Sequence, residues 1–174
     1  MNVENERPAL AFRAPEPEDL DFLYRIENDM SVWPISEYTM PLSRYALKQY
    51  IAKCSTDFFA EKQLRMMVTM DGAAEPVAIV DLYDFHPLDG RAELGIIVAP
   101  EHRNKGVGTR TVGMLCDYAS RVLGLRMLAA RVLRENAECA GILRENGFEK
   151  VAYLPEWVVI EGKARDLVLF RKKL

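Results

Sequence analysis

The stretch Ile96-Ile97-Val98-Ala99-Pro100-Glu101-His102-Arg103-Asn104-Lys105-Gly106-Val107-Gly108-Thr109 runs from an apolar strand pattern through glycines into a helical one. The chemistry this supports is anion binding. A helix start leaves backbone N–H groups without intrahelical acceptors and carries roughly half a positive charge, so an oxygen-rich anion placed there meets donors and field together. Gly106 and Gly108 remove the Cβ atoms that would hold such an anion away, while Arg103 and Lys105 add full charges beside it. A plain glycine-rich turn is the competing reading. Thr109 follows Gly108 without the lysine of a mononucleotide phosphate loop, and Gly106-x-Gly108 is too short for a dinucleotide fingerprint.

Groups able to move a proton are sought among the neighbouring carboxylates. Glu93 stands on the strand that feeds the loop, and Asp81 and Asp84 on the strand before it. Each suits a general base; each also reads as a solvated strand residue or a partner of Arg91. No metal is expected. Cys54, Cys116 and Cys139 are odd in number and widely spaced, which offers neither a disulfide framework nor a metal knuckle. His86 and His102 cannot make a metal-binding H-x-x-x-H pair.

Positioning these groups is the work of one domain, 1–174, because a chain of 174 residues that is 49% hydrophobic buries one substantial core and not two. Leu10 to Arg13 reads as a short strand. Prolines and acids at 15–19 suit a helix start, and Leu20, Leu23, Tyr24 and Glu27 then follow helical spacing. Ser31 to Pro41 has no period and reads as a functional loop. Ser43 caps a second helix whose Leu47, Tyr50, Ile51 and Cys54 recur at i, i+3, i+4 and i+7. Three strands follow, Leu64 to Met70, Val77 to Tyr83 and Ala92 to Val98, with turns at Asp71-Gly72 and Leu88-Asp89-Gly90. Beyond Pro100 come a helix with Val112, Leu115, Cys116 and Ala119 on one face, a strand from Met127 to Leu133, a helix from Asn136 to Asn146, and a closing hairpin turning at Glu161-Gly162-Lys163. The fold class is α+β, with one parallel strand pair joined by the Gly106 helix.

A formal net charge of −3 offers no general attraction to nucleic acid or to an anionic membrane. The N-terminus lacks a basic region before an apolar run, and no apolar stretch approaches the roughly 20 residues of a membrane span, so a cytoplasmic protein is expected.

Arg103-x-x-Gly106-x-Gly108 after an apolar strand resembles the R/Q-x-x-G-x-G/A signature of the GNAT superfamily of N-acetyltransferases. The likeness extends to Arg91-Ala92-Glu93-Leu94-Gly95 upstream, to Asn136 leading a helix that ends Asn146-Gly147-Phe148, and to the closing hairpin. These segments look like spermidine N-acetyltransferases and ribosomal-protein N-terminal acetyltransferases. The resemblance implies a mixed sheet of about six or seven strands, splayed centrally and flanked by about four helices.

It implies acetyl-CoA as acetyl donor, lying between the strand ending at Val98 and the strand ending near Leu133. Backbone of Ile96, Ile97 and Val98 would meet the pantetheine arm, residues Arg103, Asn104, Lys105, Gly106, Val107, Gly108 and Thr109 the pyrophosphate, and Asn136 the same arm. Asn136 also reads as an ordinary helix cap. Glu93 is the family-matched carboxylate and the catalytic assignment. Trp33, Glu37 and Asp84 are assigned to the acceptor amine. The family's usual phenol acid is missing, because Leu143 stands at its position, one turn beyond Cys139; Tyr83 and Tyr118 are alternatives. The implied activity is acetylation of a primary amine, with a polyamine such as spermidine as acceptor, or a protein N-terminus, or else low-turnover sensing of acetyl-CoA. Apolar residues at 157–160 and 167–170 of the hairpin predict a homodimer.

Overall fold

The computed structural model describes residues 8–29, 40–54, 57–70 and 73–174. Seven strands form one sheet, β1 (Leu10–Arg13), β2 (Leu64–Met70), β3 (Pro76–His86), β4 (Arg91–Val98), β5 (Met127–Leu133), β6 (Glu149–Ile160) and β7 (Lys163–Lys173), in the order β1-β2-β3-β4-β5-β7-β6. The helices are α1 (Leu20–Glu27), α2 (Arg44–Lys53), α3 (Phe58–Glu61), α4 (Val107–Arg121) and α5 (Ala137–Glu145). The expected α+β order is present with one addition. Helix α3 is a single turn, too short to show a period, and its only local signal is Asp57, whose side chain accepts from the N–H groups of Phe59 and Ala60.

Alternation along the strands divides the core between the two faces of the sheet. Ala78, Val80, Leu82, Ala92, Leu94, Leu128 and Ala130 join Val112, Leu115 and Cys116 of α4 and Ala140 and Leu143 of α5 in the larger cluster. Met67 and Ile79 join Phe22, Leu23 and Ile26 of α1 and Leu47 and Ile51 of α2 in the smaller. Ser43 caps α2 as expected, its hydroxyl accepting from Ala46 N at 3.0 Å. Asp19 anchors the start of α1 to β1, taking hydrogen bonds from Arg13 at 2.6 and 2.7 Å.

The parallel pair β4/β5 is registered only at Arg91↔Met127, Ala92↔Leu128 and Glu93↔Ala129. Past that point the two strands part. Each keeps its outer neighbour: β4 stays on β3 out to Val98↔Ala78, and β5 stays on β7 out to Leu133↔Leu167. Facing backbone groups of Leu94–Val98 and Ala130–Leu133 thus lack each other as partners, and they border a V that a ligand with its own donors and acceptors can fill.

β6 lies at the outer edge of the sheet, and β7 inside it. This revises the apolar surface expected of the hairpin. Leu167, Val168 and Phe170 of β7 are buried, while Val151, Tyr153, Trp157 and Val159 of β6 stand exposed.

Candidate active site

The strand end and the loop after it form the smaller half of the site. Val77 accepts from Ala99 N at 3.0 Å, and Arg103 Nε donates to Val98 O at 3.0 Å, which ties the loop back to β4. Asn104 at φ 57° and Gly106 at φ 74° are both left-handed. Such a backbone curls successive N–H groups toward one side, an anion-binding concavity immediately before the first turn of α4. A cavity of about 340 Å3 opens there. Val98, Arg103, Asn104, Gly106, Gly108 and Thr109 line one wall, as the sequence suggests; α5 supplies the other, through Gly141 and Ile142 together with Glu138 and Glu145. Glu145 accepts from Thr109 Oγ1 at 2.9 Å. Lys105 is exposed and Val107 is buried in the core, so neither side chain lines this pocket.

A larger cavity, about 640 Å3, runs through the V to the face covered by α1 and α2. Ile96 and Ile97 border it from β4, Arg131 and Val132 from β5, and Asn136 and Cys139 from α5. Asn136 is the cap of α5, its Oδ1 accepting from Cys139 N at 3.0 Å, and it borders the cleft as well. The far wall is polar. Arg65 of β2 makes two bonds to Asp81 of β3, at 2.7 and 3.0 Å, and a third to Glu27 of α1. Burial works against the Arg65 charge, but the fields of Asp81 and Glu27 outweigh it and hold the guanidinium well above its ordinary value. Tyr50 of α2 lies 5.4 Å beneath the same guanidinium. Desolvation pushes its phenol upward, so it stays protonated.

The acetyltransferase (GNAT) domain family matches residues 9–149. The chain belongs to the GNAT acetyltransferases. It is similar to the spermidine N(1)-acetyltransferase of Escherichia coli (strain K12), 28% identical over 160 residues that cover 92% of this chain and 83% of that protein. The spermidine N(1)-acetyltransferase of Vibrio cholerae is 26% identical over 161 residues, covering 91% and 89%. A crystal structure of spermidine N-acetyltransferase from Vibrio cholerae in complex with CoA and spermine matches the fold with a TM-score of 0.83 at 25% identity, over 94% of this chain and 95% of that one.

This GNAT acetyltransferase takes its acetyl group from acetyl-CoA and delivers it to a primary amine. The reaction needs an unprotonated nitrogen, a polarised thioester carbonyl and a proton for the departing sulfur. Glu93 lies at the apex of the V, in the last β4/β5 pair. It is buried, accepts from Arg131 Nε at 2.7 Å, and is not among the residues lining the cleft. Asp84 is exposed at a left-handed residue where the β3/β4 register slips, outside the cleft lining, 3.2 Å from His86 and 3.7 Å from Arg91. Trp33 and Glu37 fall outside the described residues. Asp81 does line the cleft, as a partner of Arg65.

Leu143 is fully buried in the larger core cluster and does not line the cleft, whereas Asn136 and Cys139, toward the start of α5, border it. Tyr118 packs edge-on against Phe12 at 6.2 Å, on the α4 side of the sheet. Tyr83 lines the cleft.

Sequence reasoning overlooked Glu27, Arg65 and Arg131. Glu27 left a trace, a carboxylate in step with the apolar stripe of α1, where a charge is buried only with a partner. The partner lies 38 residues away. No local pattern joins them.

Proposed function

We propose that the acceptor is a polyamine of the spermidine class, acetylated on a terminal primary amine. The supporting observation is the pair of carboxylates, Glu27 and Asp81, in the cleft wall on the acceptor side, set there by a buried guanidinium. A protonated amine gains from carboxylates in a partly desolvated cleft, and the relatives named above act on spermidine. A deep cleft walled by α1 and α2 suits a slender chain better than the open groove a protein N-terminus needs.

In the same reading the nest from Arg103 to Thr109 holds the donor's pyrophosphate, and the unpaired backbone of Ile96, Ile97 and Val98 meets the pantetheine arm. Asn136 uses its amide oxygen for the cap, and its amide nitrogen faces the arm. Asp81 with Glu27 holds the acceptor; Glu93 acts at one remove, by fixing Arg131. The exposed row Val151, Tyr153, Trp157 and Val159 on an edge strand supports a homodimer formed through β6. Light scattering that gave a monomer mass at micromolar concentration would remove that part. The protein carries no described helix long and apolar enough to cross a membrane.

The decisive experiment follows CoA thiol release from acetyl-CoA with spermidine, spermine, amino acids, amino sugars and peptides with free N-termini. Turnover with polyamines, lost in Asp81→Asn through a raised KM, is the expected result. Turnover confined to peptides or amino acids overturns it. Binding of acetyl-CoA with no turnover on any amine points instead to a sensor.

A further inference from the structure

Leu143 cannot donate a proton, which leaves the departing sulfur without the donor that the resemblance calls for. Tyr83 stands on β3 directly across from Glu93, half-buried. Its ring does not stay over its own partner. A Cβ built on Gly95 would meet Tyr83 Cε1 at 3.5 Å, so the ring leans across β4 toward the open end of the V. Gly95 is the first position past the apex whose side chain would point to this face, and the absence of a side chain there is what admits the ring. Tyr83, Gly95 and Arg131 all line the larger cavity, so the phenol ring is part of the wall of the V. On the β5 side of the same cavity stands Arg131, whose Nε donates to Glu93 at 2.7 Å.

Among the described residues, the other phenols considered as donors are placed elsewhere. Tyr50 lies under Arg65 on the α2 wall, and Tyr118 lies on the opposite face of the sheet. We infer that Tyr83 is the proton donor to the departing thiolate, a phenol delivered from the β3 side over Gly95 in place of one from α5. As the acceptor nitrogen bonds to the acetyl carbon and the C–S bond breaks, the Tyr83 O–H gives its proton to sulfur. The proton shed by the new amide nitrogen then returns through solvent to the phenolate, so each cycle consumes a thioester and an amine and yields an amide and a thiol. Arg131, positioned by Glu93, favours the transient phenolate.

The inference rests on the acetyltransferase activity and is independent of which amine is used. Tyr83→Phe keeps the ring over Gly95 and removes only the oxygen. Two measurements decide it. With an accepted amine, or with water in the slow hydrolysis of acetyl-CoA, Tyr83→Phe should lower kcat by about 10²-fold or more and leave KM for acetyl-CoA within threefold. By calorimetry, wild type should favour CoA over its desulfo analogue, and Tyr83→Phe should reduce that preference about fivefold, the worth of one hydrogen bond to sulfur. A kcat within tenfold of wild type, or an unchanged preference between the two ligands, overturns the assignment. The binding arm needs no amine, so it stands even if polyamines prove not to be the acceptors.

Discussion

Gly108 faces Ile142 so closely that a Cβ on it would lie 2.7 Å from Ile142 Cδ1, with Val98 Cγ2 at 3.6 Å. The glycine therefore serves helix packing: it lets the first turn of α4 sit against α5 and the end of β4, which wall the smaller cavity. Helix propensity favours alanine there by about 0.5–1 kcal/mol, and overpacking costs about 1–3 kcal/mol. Gly108→Ala should lose about 1 kcal/mol, a modest sum because the obstructing atom is the end of a flexible side chain. In an Ile142→Val background, which removes Cδ1, the same change should become neutral or stabilising. Urea midpoints of the four proteins test this reversal of sign.

Gly106 differs in kind, because its constraint is its left-handed backbone, φ 74°. Gly106→Val should abolish measurable acetyl-CoA binding and cost about 1–3 kcal/mol of stability. Gly162, at φ 73° in the hairpin turn and with nothing within 4 Å of where a Cβ would stand, is the control. Gly162→Val should cost a similar stability and leave calorimetric affinity unchanged. Equal affinity in folded Gly106→Val protein would mean that the donor binds elsewhere.

Arg65→Met leaves Glu27, whose side chain is 2% exposed, without its guanidinium. Removing one member of a buried ion pair costs about 3–5 kcal/mol, far more than an exposed pair is worth. Adding Glu27→Gln should recover a large part of that loss. A denaturant midpoint unchanged in Arg65→Met would show that the cluster is solvated.

Leu143→Tyr restores the phenol at the position the family favours, yet Leu143 is wholly buried in the core. Overpacking at about 1–3 kcal/mol and a hydroxyl without a partner are the expected consequences, with no gain in kcat. A stable variant with a faster rate would show that α5 can present a donor to the cleft after all.

Desolvation raises the Cys139 thiol from 9.0 to about 11, with Glu138 adding a smaller push. A thiol raised in the folded state favours folding in full below its unfolded value, and that contribution is lost as pH climbs toward 11. Near neutral pH the folded protein holds about a hundredfold less Cys139 thiolate than an ordinary thiol would, so alkylation there should be slower than in the unfolded chain by about that factor. Acetyl-CoA should slow it further, because Cys139 borders the cleft. Alkylation at the unfolded rate would contradict the burial.

Local pattern alone reached a good part of this molecule. The period of α2 with its Ser43 cap, the bounds of β5 and the strand–loop–helix around Gly106 are all set by neighbours within a few residues, where hydrogen bonding, capping and glycine conformation act. The one-turn α3 escaped because four residues cannot display a helical period. Roles in the cleft depended on more distant facts. Glu93 and Asp81 are alike as strand carboxylates, yet one is closed off by Arg131, 38 residues away, and the other meets Arg65 in the cleft wall. Leu143 occupies the motif position of a phenol, but whether that position faces the cleft or the core depends on how α5 is rolled against the sheet. Tyr83 reaches over β4 only because its cross-strand neighbour along the lean is Gly95. The sequence by itself determined most of the elements and the glycine-bearing loop between β4 and α4, since those arise from short-range backbone chemistry. Which side chains meet in the V was decided by the tertiary structure, because strand register and the early end of β4/β5 pairing at Glu93 and Ala129 bring together residues that no local spacing relates.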